Sequence, residues 1–244
     1  MSGQPAASPA APKSRAQEAK SWAKSIGIAL LIWMFLRSYA LEAYRIPSPS
    51  MEPALLVGDF LFVEKLVYGG EFDVPLVHWR FLPVPGYGTP QRGQIVVFRS
   101  VEDSTPNLNV VKRIIGGPGD TLQMVQDTVV RNGLRLEEPY ALHLADRAAF
   151  DDPIRVRQMR AWQLRHYIGP DSARYRPTTH DWGPIVVPPG HYFVMGDNRD
   201  ESYDSRYWGF LPERHVLGRP MFIYMSVASN PFRIRWNRIL RTPR

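Results

Sequence analysis

Two serines, Ser48 and Ser50, stand two residues apart in the run Pro47-Ser48-Pro49-Ser50-Met51-Glu52-Pro53. The chain has no cysteine, so a side-chain nucleophile must be Ser, Thr or a carboxylate. Disulfides and thiolate metal sites are excluded for the same reason. Proline fixes φ and stiffens this stretch. Serines at i and i+2 of an extended turn point to one side, where one could attack a carbonyl and the other donate a hydrogen bond. The same composition suits a Ser/Pro linker. Immediate continuation into Leu55-Leu56-Val57-Gly58-Asp59 and an apolar strand pattern speaks instead for a packed turn.

A serine hydroxyl needs a base. The 6 histidines, His78, His143, His166, His180, His191 and His215, leave a Ser–His–Asp arrangement open, and none has a distinctive setting. Lysine is scarce: after Lys24 only Lys65 and Lys112 remain. Lys65 follows Glu64 and reads as half of a solvated pair. Lys112 lies in Val110-Val111-Lys112-Arg113-Ile114-Ile115, where strand alternation puts it on one side with Val110 and Ile114. An ammonium among Val and Ile is costly to keep charged, and burial lowers its pKa. A neutral amine can take a proton from a hydroxyl. A lysine guarding an exposed sheet edge fits the strand equally well.

A third polar concentration, from Gly196 to Gly209, follows the apolar residues Tyr192–Met195. Alternating Asp and Arg suit a solvated loop, yet Tyr207-Trp208-Gly209-Phe210 calls for burial, so the loop is expected to fold back on the core. Asp204 and Arg206 are candidate ion-pair partners, and Ser202 and Ser205 candidate hydrogen-bond donors.

The elements that must position these groups are read from composition and pattern. The chain has 244 residues and a net charge of +7. Residues 1–24 hold four basic side chains and one acid, and residues 230–244 hold five basic side chains and no acid. The body between them is therefore close to neutral, which argues against a broad nucleic-acid footprint and fits a membrane surface. The C-terminal arginines, interleaved with Phe232, Ile234, Trp236, Ile239 and Leu240, are expected to rest on anionic headgroups. A hydrophobic fraction of 44% is enough for a core.

Residues 1–22 read as a flexible basic tail. Residues 23–41 form an apolar span of about 20 residues, long enough to cross a bilayer, with Lys24 and Arg37 able to reach the headgroups. The positive tail predicts a cytoplasmic N-terminus. A cleavable leader would need a small-x-small site directly after the span, where Tyr44-Arg45-Ile46-Pro47 follows instead, and a buried amphipathic helix would not be apolar all round.

Beyond Leu41, short β-rich runs at Phe60–Tyr68, Gln94–Arg99, Asn109–Ile115, Ile185–Val187, His191–Met195 and Val216–Val227 predict antiparallel β structure. Asn132-Gly133 between Val130 and Leu134 predicts a hairpin with a type I′ turn. Gly69–Arg92 reads as a long Pro/Gly-rich loop. Pro139–Trp182 reads as an irregular, Arg-rich insertion with helix around Ala148–Tyr167.

Three segments together resemble bacterial type I signal peptidase, the membrane-bound Ser–Lys serine protease that removes signal peptides. Arg45–Pro53 looks like the family's nucleophile box, Val111–Asp120 like its lysine box, and Gly196–Phe210 like its third signature. Pro49 stands where the family usually has Gly, and Ala54 where Thr is common.

The resemblance implies Ser50 as nucleophile and Lys112 as general base. The Ser48 hydroxyl and the Ser50 N–H would form the oxyanion hole. Ser202 would hydrogen-bond the Lys112 amine, Asp204 and Arg206 would make a supporting ion pair, and Asp197 and Asn198 would shape the site. It implies no cofactor and no metal. The partners would be signal-peptide-bearing preproteins cut after small residues, together with the lipid bilayer, and no nucleic acid. The fold it implies is mainly β, an antiparallel β catalytic core with a smaller β-rich insertion, preceded by one N-terminal transmembrane helix. Residues 42–244 would be the extracytoplasmic catalytic region, with the inserted subdomain at about 123–184. The chain would be a single-pass protein of the bacterial inner membrane with its site on the outer face. Two other readings compete: a soluble Ser–Lys protease such as a self-cleaving repressor, which would not need residues 23–41, and a membrane-anchored β adaptor without catalysis.

Overall fold

The computed structural model describes residues 15–35, 41–74, 79–102, 104–105, 108–143 and 153–243. Helix α1 (Arg15–Phe35) comes first, followed by strands β1 (Leu41–Arg45) and β2 (Asp59–Glu64). Next are β3 (Gly69–Val74), β4 (Trp79–Pro85), β5 (Ile95–Arg99) and β6 (Asn109–Gly116). Strands β7 (Thr121–Val125), β8 (Thr128–Arg131) and β9 (Leu134–Arg135) precede helix α2 (Pro153–Gln163) and β10 (Trp182–Val186). The chain then forms β11 (His191–Met195), the short helix α3 (Ser205–Trp208), β12 (Leu211–Pro212), β13 (Val216–Ser229) and β14 (Phe232–Ile234).

The main sheet runs β1-β2-β13-β5-β6-β11-β12, with β14 on β13, and its ladders are antiparallel. Its middle strands are covered on both faces, which explains their unbroken apolar runs. Ile95 and Val97 of β5 join Leu61, Val63 and Ile223 in one core. Val96 and Phe98, alternating with them, join Ile114, Val194 and Leu211 in another. Strand β13 has 14 residues and register shifts against both β2 and β5. Those bulges bend it and give Pro220 a place in a long strand, where a regular ladder would need its missing N–H.

A second sheet, β10-β7-β8-β9, lies wholly between β6 and β11 in sequence. The turn of its β8–β9 hairpin has Asn132 at φ 54° and Gly133 at φ 81°, the left-handed pair a type I′ turn requires. Trp182 and Ile185 of β10 return to pair with Met124 and Leu122 of β7. Helix α2 falls inside the stretch expected to hold helix and buries Met159, Trp162 and Gln163.

Two expectations are corrected, and a third is met only in part. The segment expected as a long loop contains the two-stranded sheet β3–β4, with Phe72 opposite Phe81 and Val74 opposite Trp79. Aromatic and β-branched residues there outweigh the turn formers, and a two-stranded sheet leaves room for Pro83 and Pro85. Arg15–Trp22, expected as flexible tail, is the first half of α1, in keeping with its Ala, Gln, Glu and Lys content. The expected anchor over 23–41 is the third. Residues 36–40 lie outside the described residues, and Leu41 opens β1. The described helix spends its first half on Arg15, Glu18, Lys20 and Lys24. Among the described residues no helix is long and apolar enough to cross a membrane.

Candidate active site

Ser50 sits in a 3-10 turn, Pro49–Met51, between β1 and β2. Pro49 occupies the first turn, where its fixed φ is pre-organised and its missing N–H leaves no helical bond unmade. Ser48 precedes the turn in an extended conformation, at φ −128° and ψ 155°. The two hydroxyls do face one side, with Oγ atoms 3.4 Å apart. The turn is fastened below by Met51 and Leu55, both in the core with Ile46 and Leu61.

A second fastening comes from the C-terminus. Buried Asp59 accepts from Leu56 N–H at 2.9 Å, from Ser226 Oγ at 2.6 Å and from Arg238 Nε at 3.1 Å. Arg238 also donates to the Ala54 carbonyl at 2.9 Å, and Arg235 donates to the Val57 carbonyl as well as to the Val227 carbonyl of β13. Two of the arginines expected on headgroups therefore hold the loop behind Ser50.

Lys112 lies on β6, flanked by β5 and β11, so it is on a central strand and not a sheet edge. It is 3% exposed and lies opposite Val96. Its Nζ donates to Ser50 Oγ at 2.6 Å. Burial pushes the ammonium down to about 8; Asp204 and Asp197 oppose this and Arg206 reinforces it. A free amine is thus accessible near neutral pH. Lys65, read as a partner of Glu64, instead meets Glu42 at 3.4 Å, and Glu64 meets Arg219 at 3.0 Å.

The loop after β11 folds back over this pair, as its aromatic end required. Asp204, fully buried, starts α3 by accepting from Arg206 N–H at 3.2 Å and also accepts from Gly196 N–H at 3.0 Å. Arg206 pairs with it through Nε at 2.9 Å and Nη2 at 3.0 Å. Burial alone would raise the Asp204 pKa, but Arg206 and the Ser202 hydroxyl hold it below the usual carboxylate value. The same pairing raises Arg206 against its own burial. Both groups stay charged beside Lys112.

Asp197 takes a two-pronged ion pair from Arg113, with Nε at 2.7 Å and Nη2 at 2.6 Å. Asn198 N–H donates to the Ser50 carbonyl at 3.2 Å and its side chain to the Pro49 carbonyl at 3.4 Å. Ser202 is placed differently from the expectation. Its hydroxyl donates to Asp204 Oδ2 at 2.7 Å and accepts from Gly196 N–H at 3.1 Å. Ser205, also named from sequence, accepts from Val194 N–H at 3.0 Å and serves the strand.

The described histidines stand apart from Ser50. His180 and His143 gather on Asp127, His191 Nδ1 lies 2.8 Å from the Pro189 carbonyl, and His215 Nδ1 lies 3.2 Å from the Arg99 carbonyl. His78 lies outside the described residues. Among the described residues no group of three or more His, Asp or Glu could hold a metal ion.

Ser50 and Lys112 open on a cleft of about 280 Å³ lined by Phe98, Leu108, Val110 and Trp208, with Glu102 and Glu201 among its polar residues. A larger groove of about 730 Å³ between β2, β5 and β13 lacks Ser50 and Lys112.

In the sequence Gly196 only opens the polar run that follows Met195. A Cβ there would stand 2.3 Å from Ser202 Oγ and 2.4 Å from the Ser50 carbonyl oxygen. The loop can approach the nucleophile turn only because this residue has no side chain. Gly196→Ala is therefore expected to lower stability by about 1–3 kcal/mol. It should also lower kcat about 10²-fold by displacing Ser50. Thermal melting and steady-state kinetics of the purified variant check both, and a wild-type kcat would contradict the close approach.

The family model described as signal peptidase, peptidase S26, matches residues 19–225. Signal peptidase I of Pseudomonas aeruginosa is 36% identical over 223 residues, covering 84% of this chain and 72% of that protein. Signal peptidase I of Bacillus licheniformis is 34% identical over 205 residues, covering 83% and 87% respectively. A crystal structure of a signal peptidase I from Enterococcus faecalis V583 shares 32% identity, covers 54% of this chain and 96% of its own, and has a TM-score of 0.34. With the match running from α1 to the end half of β13, the chain belongs to the signal peptidase family of serine peptidases, S26.

Proposed function

We propose that this serine protease cleaves signal peptides with Ser50 as nucleophile and Lys112 as general base. The observation that carries the reading is the 2.6 Å contact between Lys112 Nζ and Ser50 Oγ, inside a buried site. Neutral Lys112 takes the Ser50 proton as Oγ attacks the scissile carbonyl. The carbonyl oxygen becomes an oxyanion, held by the Ser48 hydroxyl and the Ser50 N–H; one such donor is worth about 3 kcal/mol. Lys112, now an ammonium, gives its proton to the leaving amine. Lys112 then takes a proton from water as it attacks the acyl carbonyl, and returns that proton to Ser50 Oγ as the acyl–Oγ bond breaks.

Asp204 and Arg206 keep a fixed pair of opposite charges beside the amine, Asn198 fixes the turn's backbone, and Asp197 anchors the start of the loop on Arg113. Ser202 acts through Asp204 in this arrangement. The small cleft supports a preference for small residues before the cut. The enzyme works at the bacterial inner membrane, with the apolar run beginning at Ser25 in the bilayer, the N-terminus in the cytoplasm and residues 42–244 on the outer face. Exposed Ile26, Leu30, Leu31 and Trp33 on α1 support the membrane part.

The test is incubation of the purified full chain with a preprotein. Cleavage after a small residue that disappears in Ser50→Ala supports the reading, and cleavage that persists defeats it. Flotation with liposomes tests the membrane part, which fails if the full chain stays behind in the soluble fraction.

A further inference from the structure

The segment 138–142, between β9 and α2, takes no part in the chemistry above, yet it is joined to the loop that supports the dyad. Leu142 pairs in parallel with Asn198. Leu142 N–H donates to the Asp197 carbonyl at 2.7 Å, and Arg199 N–H to the Leu142 carbonyl at 2.9 Å. Glu138 accepts from Arg199 Nη2 at 2.7 Å and Nη1 at 3.0 Å, with side chains only 6% and 1% exposed. The Tyr140 ring lies 3.9 Å from the guanidinium of Arg113, which holds Asp197. From the other side, Trp162 of α2 donates to the Arg206 carbonyl at 2.9 Å.

Two short routes lead from this clamped loop to the dyad. One is the Asn198 N–H to the Ser50 carbonyl. The other runs from the Arg199 carbonyl, which accepts from Arg206 Nη2, through Arg206 to Asp204, whose charge acts on Lys112. A buried ion pair returns little net stability after dehydration of both charges. Its attested use is to fix one geometry among several.

We propose that segment 138–142, locked by the Glu138–Arg199 pair, is a positioning element for Ser50 and Lys112. It holds the 197–206 loop where the hydroxyl and the amine meet and water stays away from the amine. The inference rests on the Ser50–Lys112 reading above. The charged groups acting on Lys112 are Asp204, Asp197 and Arg206 on that loop, and Glu102 and Glu201 share its cleft with Tyr203. Arg113 and Asp197 stand next to the Glu138–Arg199 pair. Glu138 thus reaches the amine through the loop's position.

The experiment uses Glu138→Gln and Leu142→Pro in the full chain, with kinetics on a purified preprotein. Leu142→Pro removes the N–H bound to Asp197 without changing any charge, and it carries the test if Glu138→Gln does not fold. Each variant is expected to lower kcat about tenfold, a loss of about 1.4 kcal/mol in transition-state stabilisation. KM should stay within about twofold of wild type. The midpoint of the pH–rate profile should move upward as water reaches Lys112. Folded variants with wild-type kcat and midpoint would overturn the proposal. So would a kcat that falls only in step with the folded fraction while the midpoint stays put. Ser50→Ala and Lys112→Met assayed alongside separate the two failures. Activity in those variants sinks the dyad reading, whereas their inactivity beside an unaffected Glu138→Gln sinks only the positioning role.

Discussion

Lys112→Met is expected to lower kcat for preprotein cleavage by about 10²–10⁴-fold, the range a general base supplies. The substitution keeps the length and packing of the side chain on β6 while removing the group that accepts the Ser50 proton. The same variant should be more stable than wild type at neutral pH. In the folded protein the Lys112 pKa is lowered to about 8, whereas the unfolded chain has the ordinary value of 10.5. Between those values the unfolded chain binds the extra proton, so this group's contribution to stability rises with pH across that window. Below it, the folded protein carries a buried ammonium at its full penalty, and methionine removes that penalty. The stability gain of Lys112→Met should therefore be largest below pH 8 and shrink toward pH 10.5. Thermal melting of both proteins across that range checks it. A variant less stable than wild type at every pH would mean that the charge of Asp204 needs Lys112 more than the burial of Lys112 opposes it.

Ser50→Ala is expected to have the larger effect, a loss on the order of 10⁶ in kcat, the scale seen when a serine protease of unrelated fold loses its nucleophile. The residual rate would come from oxyanion donors and substrate binding alone. Because hydroxyl and amine act as one unit, the double variant Ser50→Ala, Lys112→Met should be no slower than Ser50→Ala. Single-turnover assays with excess enzyme measure this. Additive losses would assign Lys112 a role independent of Ser50.

Local pattern told most where the chain acts locally. Strand β11 fills His191–Met195 and the β8–β9 turn falls on Asn132-Gly133, because alternation and a left-handed pair are properties of a few adjacent residues. Lys112 stood out through the scarcity of lysine and its apolar flanks. Whether it lay on an edge or in the middle of a sheet was not legible, since this depends on β11, some 80 residues later, pairing with β6. The partner of Ser202 was hidden for a different reason: a hydroxyl between Lys112 and Asp204 can serve either, and only the geometry chooses Asp204. The contacts of Glu138 with Arg199 and of Arg238 with Asp59 join residues 61 and 179 positions apart and leave no local mark. The sheet β3–β4 is obscured in the sequence because glycines and prolines dilute the strand pattern of Phe72, Val74, Trp79 and Phe81.

The most direct test of the dyad is the pH dependence of kcat/KM for the purified full chain, which reports the free enzyme's base. A base that must be neutral to act gives a rate that rises with pH and levels off above its pKa. The buried Lys112 amine predicts a rise with its midpoint near 8. A midpoint near the free-lysine value of about 10.4, or near the histidine value of about 6.5, would contradict a buried Lys112 as the base for Ser50.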